Sequence, residues 1–221
     1  MLGTPAYDGR VDVGYAYSML RSVQACQANG IALHPVWWPG EALVQHARNM
    51  LVKMALEAKV DALLFVDSDQ EWEPENVLAL LKHPVDVVGA PVPKKSDVED
   101  YNVRVNGGHL TIDQKTGLWR VAGVGTGFLK LSIRALVALW TSAAAYSHGG
   151  HDCRMIFDVG IQDGRLIGED FVLCEKLDIL GIPIHVDPSF TVAHRGTKTW
   201  RGDFRKYVDG LSERENKAVA S

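Results

Sequence analysis

Val60-Asp61-Ala62-Leu63-Leu64-Phe65-Val66-Asp67-Ser68-Asp69 is an apolar run that ends abruptly in two carboxylates. Such a run reads as a strand buried on both faces, as in sheets covered by helices on either side. Upstream, Leu43, Val44, Ala47, Leu51, Met54, Ala55 and Ala58 recur at helical spacing, after a strand over residues 31–38 that Pro39-Gly40 breaks. Earlier still, Ala16, Met19, Leu20, Val23 and Cys26 mark a helix stopped by Asn29-Gly30, and residues 1–6 can form only a short strand. Downstream, Pro74 opens a helix bearing Val77, Leu78, Leu80 and Leu81, and residues 85–90 read as a strand. Regularity fails over 91–120, where loops, hairpins and a short strand at 118–121 are expected.

Beyond that stretch, residues 128–131 predict a strand, 133–140 a helix, and 147–152 a Gly/His-rich loop. Gly168-Glu169-Asp170 opens a helix that turns Phe171, Val172, Leu173, Leu177 and Leu180 inward, and Gly181 stops it before a strand over 182–186. This alternation predicts an α/β fold, a mainly parallel central sheet flanked by helices with right-handed crossovers. Residues 1–211 are expected to form one domain, and the polar 212–221 to fray.

Composition narrows the function little. Of 221 residues, 47% are apolar and 23% charged, as in ordinary globular proteins, and a net charge of −4 gives no global attraction to nucleic acid or acidic membranes. Cys26, Cys153 and Cys174 are odd in number and far apart, which argues against a disulfide framework or a Cys-based zinc site and fits a reducing cytoplasm. No apolar run reaches the roughly 20 residues of a membrane span, and no leader pattern opens the chain.

The carboxylates carry the chemistry. At the carboxyl end of a buried strand, where open α/β sheets bind ligands, Asp67 and Asp69 can hold a hard divalent cation that in turn binds a diphosphate. Acidic residues also cap helices and solvate strand ends, so the triplet needs its context. An EF-hand reading fails because Trp72 and Leu78 stand where glycine and glutamate are required. A nicotinamide-binding reading fails because Thr4-Pro5-Ala6-Tyr7, not a glycine-rich turn, follows the first strand.

Four blocks, Thr4-Pro5-Ala6-Tyr7-Asp8, Ala47-Arg48-Asn49, Asp67-Ser68-Asp69 and Gly125-Thr126-Gly127-Phe128, are followed by Gly168-Glu169-Asp170-Phe171 and Asp187-Pro188-x5-Ala193-His194. In this order, over roughly residues 3–196, the chain resembles GT-A glycosyltransferases, including family 2-like enzymes and small phage versions. The Ala-Arg-Asn block is also similar to fungal mannosyltransferases. The short first strand departs from the family pattern.

The resemblance implies a single Rossmann-like GT-A domain and a nucleotide-sugar donor, with UDP as the default and Mn²⁺ or Mg²⁺ as cofactor. A phage-type enzyme would work in the host cytoplasm. Pro5, Ala6, Tyr7 and Asp8, with Thr4, are implied to surround the base and ribose, although a turn with a packed tyrosine reads the same. Arg48 is implied to reach the nucleotide, where a helix arginine is ordinarily surface solvation. Asp67 and Ser68 would sit near ribose or metal-bound water, Asp69 on the metal and His194 as the second protein ligand, where a lone histidine is ordinarily structural. Asp170, with Glu169, is the implied acidic pair; in inverting relatives the aspartate takes the proton of the attacking hydroxyl, the similarity to mannosyltransferases leaves retention open, and a charged first helical turn would look the same.

Gly125, Thr126 and Gly127 either give backbone access to the sugar or acceptor or form a β-bulge. Lys198 and Trp200 belong to a basic, aromatic segment with Arg195, Arg201, Arg205 and Lys206 that closes on the diphosphate, contacts an anionic acceptor, or is a solvated face. His148-Gly149-Gly150-His151-Asp152-Cys153 offers zinc ligands without a zinc spacing, and an acceptor-facing loop is expected instead. The acceptor is a saccharide hydroxyl by preference, or a hydroxymethylated pyrimidine in DNA. Two other classes stay open: a non-catalytic nucleotide-sugar or glycan-binding module, and a metal-dependent nucleotidyltransferase or phosphohydrolase.

Overall fold

The computed structural model describes residues 1–105, 111–190, 192–196 and 198–210, so the tail expected at 212–221 lies outside the described residues. Its centre is an eight-stranded sheet of β1 (Leu2–Ala6), β2 (Pro35–Pro39), β3 (Ala62–Val66), β4 (Val87–Gly89), β5 (Thr111–Ile112), β6 (Trp119–Val121), β7 (Phe128–Ser132) and β8 (Ile184–Val186). In space the order is β2-β1-β3-β7-β4-β8-β6-β5. The sheet is mixed and mainly parallel, with β7 and β6 running against their neighbours.

Helices α1 (Val13–Ala28), α2 (Val44–Glu57), α3 (Pro74–Lys82), α4 (Ile133–Ser142) and α5 (Glu169–Ile179) cover it, and a further helical stretch is described at 204–210. Local chemistry sets their starts. Asp12 accepts the Gly14 N–H at 2.8 Å, Ser132 accepts the Ala135 N–H at 3.2 Å, and Pro74 stands in the first turn of α3.

The run that reads as doubly buried is so because its side chains alternate between two cores. Leu63 and Phe65 join Leu51, Ala55, Leu136 and Leu177 under α2, α4 and α5, whereas Leu64 and Val66 join Tyr15, Met19, Val77 and Leu80 under α1 and α3. Each such side chain contributes about 1.5–3 kcal/mol of burial, enough to fix the register against a one-residue slip.

Two expectations are corrected. Leu20 points to solvent, and Tyr15, Ser18 and Ser22 fill the inner face of α1. The 147–152 loop is a hairpin, Ala145–His148 with His151–Arg154, because Gly149 and Gly150 both take positive φ (57° and 83°) and close a two-residue turn. β7 is antiparallel between β3 and β4, since no crossover helix precedes it and the chain enters the sheet from the edge where β3 ends.

Candidate active site at the carboxyl edge of the sheet

The inverted β7 assembles the site. Because Phe128 pairs with Val66, the residues before β7 lie beside those after β3, and the Asp67 N–H donates to the Gly127 carbonyl at 3.0 Å. A Cβ on Gly127 would stand 3.1 Å from Asp67 Oδ2, and one on Gly125 would collide with the Asn102 amide. Neither glycine has positive φ, so their smallness gives clearance to neighbouring side chains and no left-handed bulge is involved.

Two polar clusters flank this point. In the first, Arg48 is buried, donates to Asp67 Oδ1 at 2.9 Å and pairs with Glu169. Burial pulls the guanidinium pKa down, and the charges of Asp67 and Glu169 raise it past that loss. Arg48 therefore joins α2, the end of β3 and the start of α5; it is a buried ionic cross-link, not a solvated helix residue.

The second cluster is Asp69 with His194 and Lys95. Residues Gln70–Glu71 pair with Ala193–His194 in a two-residue ribbon, and the Arg195 N–H donates to the Asp69 carbonyl at 2.7 Å, which brings His194 to the acidic triplet. His194 Nδ1 lies 2.8 Å from the Pro93 carbonyl, which can only accept, so Nδ1 carries the proton. Nε2 then faces Asp69 Oδ2 at 3.4 Å, either as a second N–H or as a lone pair with a cation between. Lys95 Nζ sits 2.5 Å from the same oxygen.

Burial pushes the Asp69 carboxyl up, but His194 and Lys95 hold it down at about 2. Its other oxygen, Oδ1, is buried without a hydrogen-bond partner. An orphaned carboxylate oxygen beside an imidazole whose far nitrogen is fixed by a backbone carbonyl fits a metal-ligand pair. Asp67 turns to Arg48 and does not join Asp69 and His194 in a three-ligand group among the described residues.

Asp170 is placed by α5. Its Oδ2 accepts from Asn102 Nδ2 at 2.6 Å and its Oδ1 from the Phe171 N–H at 2.8 Å, leaving lone pairs on both oxygens. Of the first block, Thr4 is buried and shares a 2.5 Å hydrogen bond with Tyr15 Oη; Pro5 is half-buried and Ala6 buried. Tyr7 is 69% exposed and Asp8 caps the Arg10 N–H at 3.1 Å. Thr4 thus faces the core, and Tyr7 and Asp8 face solvent.

The Ser68 carbonyl accepts the Asp12 N–H at 2.9 Å, and Thr126 is buried with its hydroxyl unpartnered. Lys198 pairs with Asp97 and lies 5.4 Å from the Trp200 ring centre, while the Trp200 backbone pairs with His194.

Sequence reasoning missed Lys95, Asn102 and Gln70. Lys95 and Asn102 come from the irregular 91–120 stretch, where no periodicity marks any residue. Gln70 is fully buried with neither end of its amide bonded, and a Cβ on Gly127 would be 3.4 Å from its Nε2. A glutamine next to D-x-D carries no distinguishing signal in one sequence.

No protein-family model matches the chain, and no curated protein matches it. Among solved structures, A197 from STIV overlaps 88% of this chain and 84% of its own at 18% identity and a TM-score of 0.55. A glycosyltransferase involved in glycosylation of the major capsid of PBCV-1 overlaps 63% of this chain and 64% of its own (13% identity, TM-score 0.36). Mannose-1-phosphate geranyltransferase from Thermus thermophilus overlaps 64% and 59% (13% identity, TM-score 0.39). The A197 overlap supports a shared fold over most of the chain. No helix among the described residues is long and apolar enough to cross a membrane.

Proposed function

We propose that this chain is a metal-dependent GT-A glycosyltransferase that moves a hexose or pentose from a nucleotide diphosphate sugar, by preference a UDP-sugar, to a hydroxyl acceptor. The observation that carries the reading is the Asp69–His194 pair with its orphaned Oδ1, at the sheet edge where open α/β folds receive ligands. The carboxylate oxygen suits Mn²⁺ or Mg²⁺ and the added imidazole nitrogen favours Mn²⁺ of the two; when bound, the ion would supply charge neutralisation for the departing nucleotide diphosphate.

The chain's own residues do the rest. Tyr7 offers an exposed aromatic face to the base, with Asp8 and the Pro5-Ala6 end of β1 beside it, Thr4 behind them in the core, and Ser68 and Asp67 toward the ribose. Gly125, Thr126 and Gly127, with Lys198 and Trp200, border the sugar and acceptor. Asp170, held by Asn102, takes the proton of the acceptor hydroxyl as that oxygen bonds to the anomeric carbon and the bond to the diphosphate breaks. This is an inverting displacement. Glu169 and Arg48 position Asp67 and the start of α5.

The acceptor class favoured is a saccharide. The basic segment that would grip DNA is largely committed: Arg195 and Arg201 pair with Glu71, Lys198 with Asp97 and Lys206 with Asp203. Screening nucleotide sugars with Mn²⁺ for thermal stabilisation, then saccharide pools for a hexose or pentose mass increment, tests the reading. Pyrophosphate exchange or sugar phosphate would indicate a nucleotidyltransferase or phosphohydrolase; binding without consumption would indicate a module.

A further inference from the structure

Away from this site, three ligand-bearing side chains from three segments converge at the start of α2. Glu41 follows β2, His46 lies in the first turn of α2, and His148 ends the first strand of the 145–154 hairpin; their ligand atoms lie within 4.8 Å of one another. No other trio of His, Cys, Asp or Glu among the described residues is so grouped.

Each part is held in place. The Gly149-Gly150 turn pairs His148 with His151 and sets its position at the hairpin end. His46 is buried, and its Nδ1 lies 2.7 Å from Tyr146 Oη, which also accepts from Asn49 Nδ2 at 3.3 Å. Donation of Nδ1–H to that oxygen leaves the Nε2 lone pair facing Glu41 Oε2, 3.9 Å away and beyond hydrogen-bond reach. Glu41 Oε1 accepts the Leu43 N–H at 2.9 Å, which orients Oε2. The His148 and His46 rings meet edge to face, centroids 4.6 Å apart.

We propose that Glu41, His46 and His148 bind a divalent transition metal, zinc by preference, with a fourth position open to solvent. Two imidazoles and a carboxylate are a zinc donor set, and imidazole favours zinc over magnesium or calcium. Ligand atoms on tetrahedral zinc lie about 3.4 Å apart for bonds of about 2.0–2.1 Å. The exposed His148 and the half-buried Glu41, whose Oε2 is 3.9 Å from His46 Nε2, can supply that contraction by small side-chain rotations about the buried His46. The orienting contacts from Tyr146 and the Leu43 N–H are of the kind that raise metal affinity. Bound there, the ion ties the hairpin to α2 two residues before Arg48. The Cys153 thiol, offered by the sequence as a ligand, is buried and takes no part.

The test is titration of chelator-stripped protein with Zn²⁺ against a chromophoric competitor, using wild type, His148→Ala, Glu41→Gln and Asp69→Ala. Circular dichroism confirms that each is folded. The expected result is one tight equivalent of Zn²⁺ kept in both wild type and Asp69→Ala and weakened at least ~10-fold in His148→Ala and Glu41→Gln, the lower bound for losing even an orienting partner; a weaker equivalent lost in Asp69→Ala belongs to the Asp69–His194 pair. Wild type without bound zinc, or His148→Ala and Glu41→Gln binding as tightly as wild type, overturns the proposal. Loss of the tight equivalent only in Asp69→Ala would assign the ion to the other site and overturn it equally.

Discussion

His194 Nε2 stands 3.4 Å from Asp69 Oδ2 while its Nδ1 is committed to the Pro93 carbonyl. The imidazole cannot turn away from the carboxylate without orphaning that carbonyl, so the pair is fixed before any ligand arrives.

Lys95 shares the same Asp69 oxygen, so ammonium and metal compete for it. Lys95→Met should tighten Mn²⁺ binding in the absence of nucleotide by several-fold, in line with the ~0–1 kcal/mol of a partly exposed ion pair. Isothermal titration checks this; unchanged or weaker Mn²⁺ affinity would show that Lys95 does not guard the site.

Arg48 is a buried cation between two carboxylates. Arg48→Ala leaves Asp67 and Glu169 facing each other without it and should destabilise the fold by about 3–5 kcal/mol. Urea unfolding should show a lower midpoint with an unchanged slope. A loss below about 1 kcal/mol would mean that the cross-link is dispensable to the fold.

How much of this was legible depends on what a single chain encodes. The strand ending in Asp67-Ser68-Asp69, the helices at Pro74 and Gly168 and the stop at Gly181 are written in local periodicity and turn chemistry, and the structure has them. The antiparallel entry of β7 is not, because strand direction is set by the connection before it and leaves no mark on Phe128 to Leu131. Nor is the ribbon that brings His194 to Asp69, since two residues are too few for a period. Lys95 and Asn102 reach the site only through tertiary contacts of an irregular stretch. The His46–His148 juxtaposition spans a hundred residues and appears only once the hairpin is folded onto α2.

Asp170→Asn replaces a carboxylate that accepts from both Asn102 and the Phe171 N–H. The amide can accept on one side only, so a stability cost of about 0.5–1.5 kcal/mol is expected. Sugar transfer should fall at least ~10²-fold with donor affinity kept, as for loss of a positioned general base. Near-normal transfer on the folded variant would remove Asp170 as the base.

Lys130 is buried in β7, where among the described residues the His83 carbonyl accepts from its ammonium at 2.8 Å, and burial lowers its pKa to about 8. Between about pH 8 and its unfolded value the unfolded state holds more protons, so this group's contribution makes stability rise with pH across that window. Lys130→Met should therefore stabilise the protein at pH 7 by about 1–3 kcal/mol, with the gain shrinking toward pH 10. A pH-independent difference in urea midpoints would contradict this.

The central claim is that Asp69 and His194 hold the cation that binds the donor diphosphate. The direct measurement is calorimetric affinity for UDP with Mn²⁺ and with EDTA, on wild type, Asp69→Ala and His194→Ala. Wild-type affinity should require Mn²⁺, fall at least ~10-fold in Asp69→Ala and fall less, in the same direction, in His194→Ala. Equal UDP affinity with EDTA and in Asp69→Ala would contradict the account.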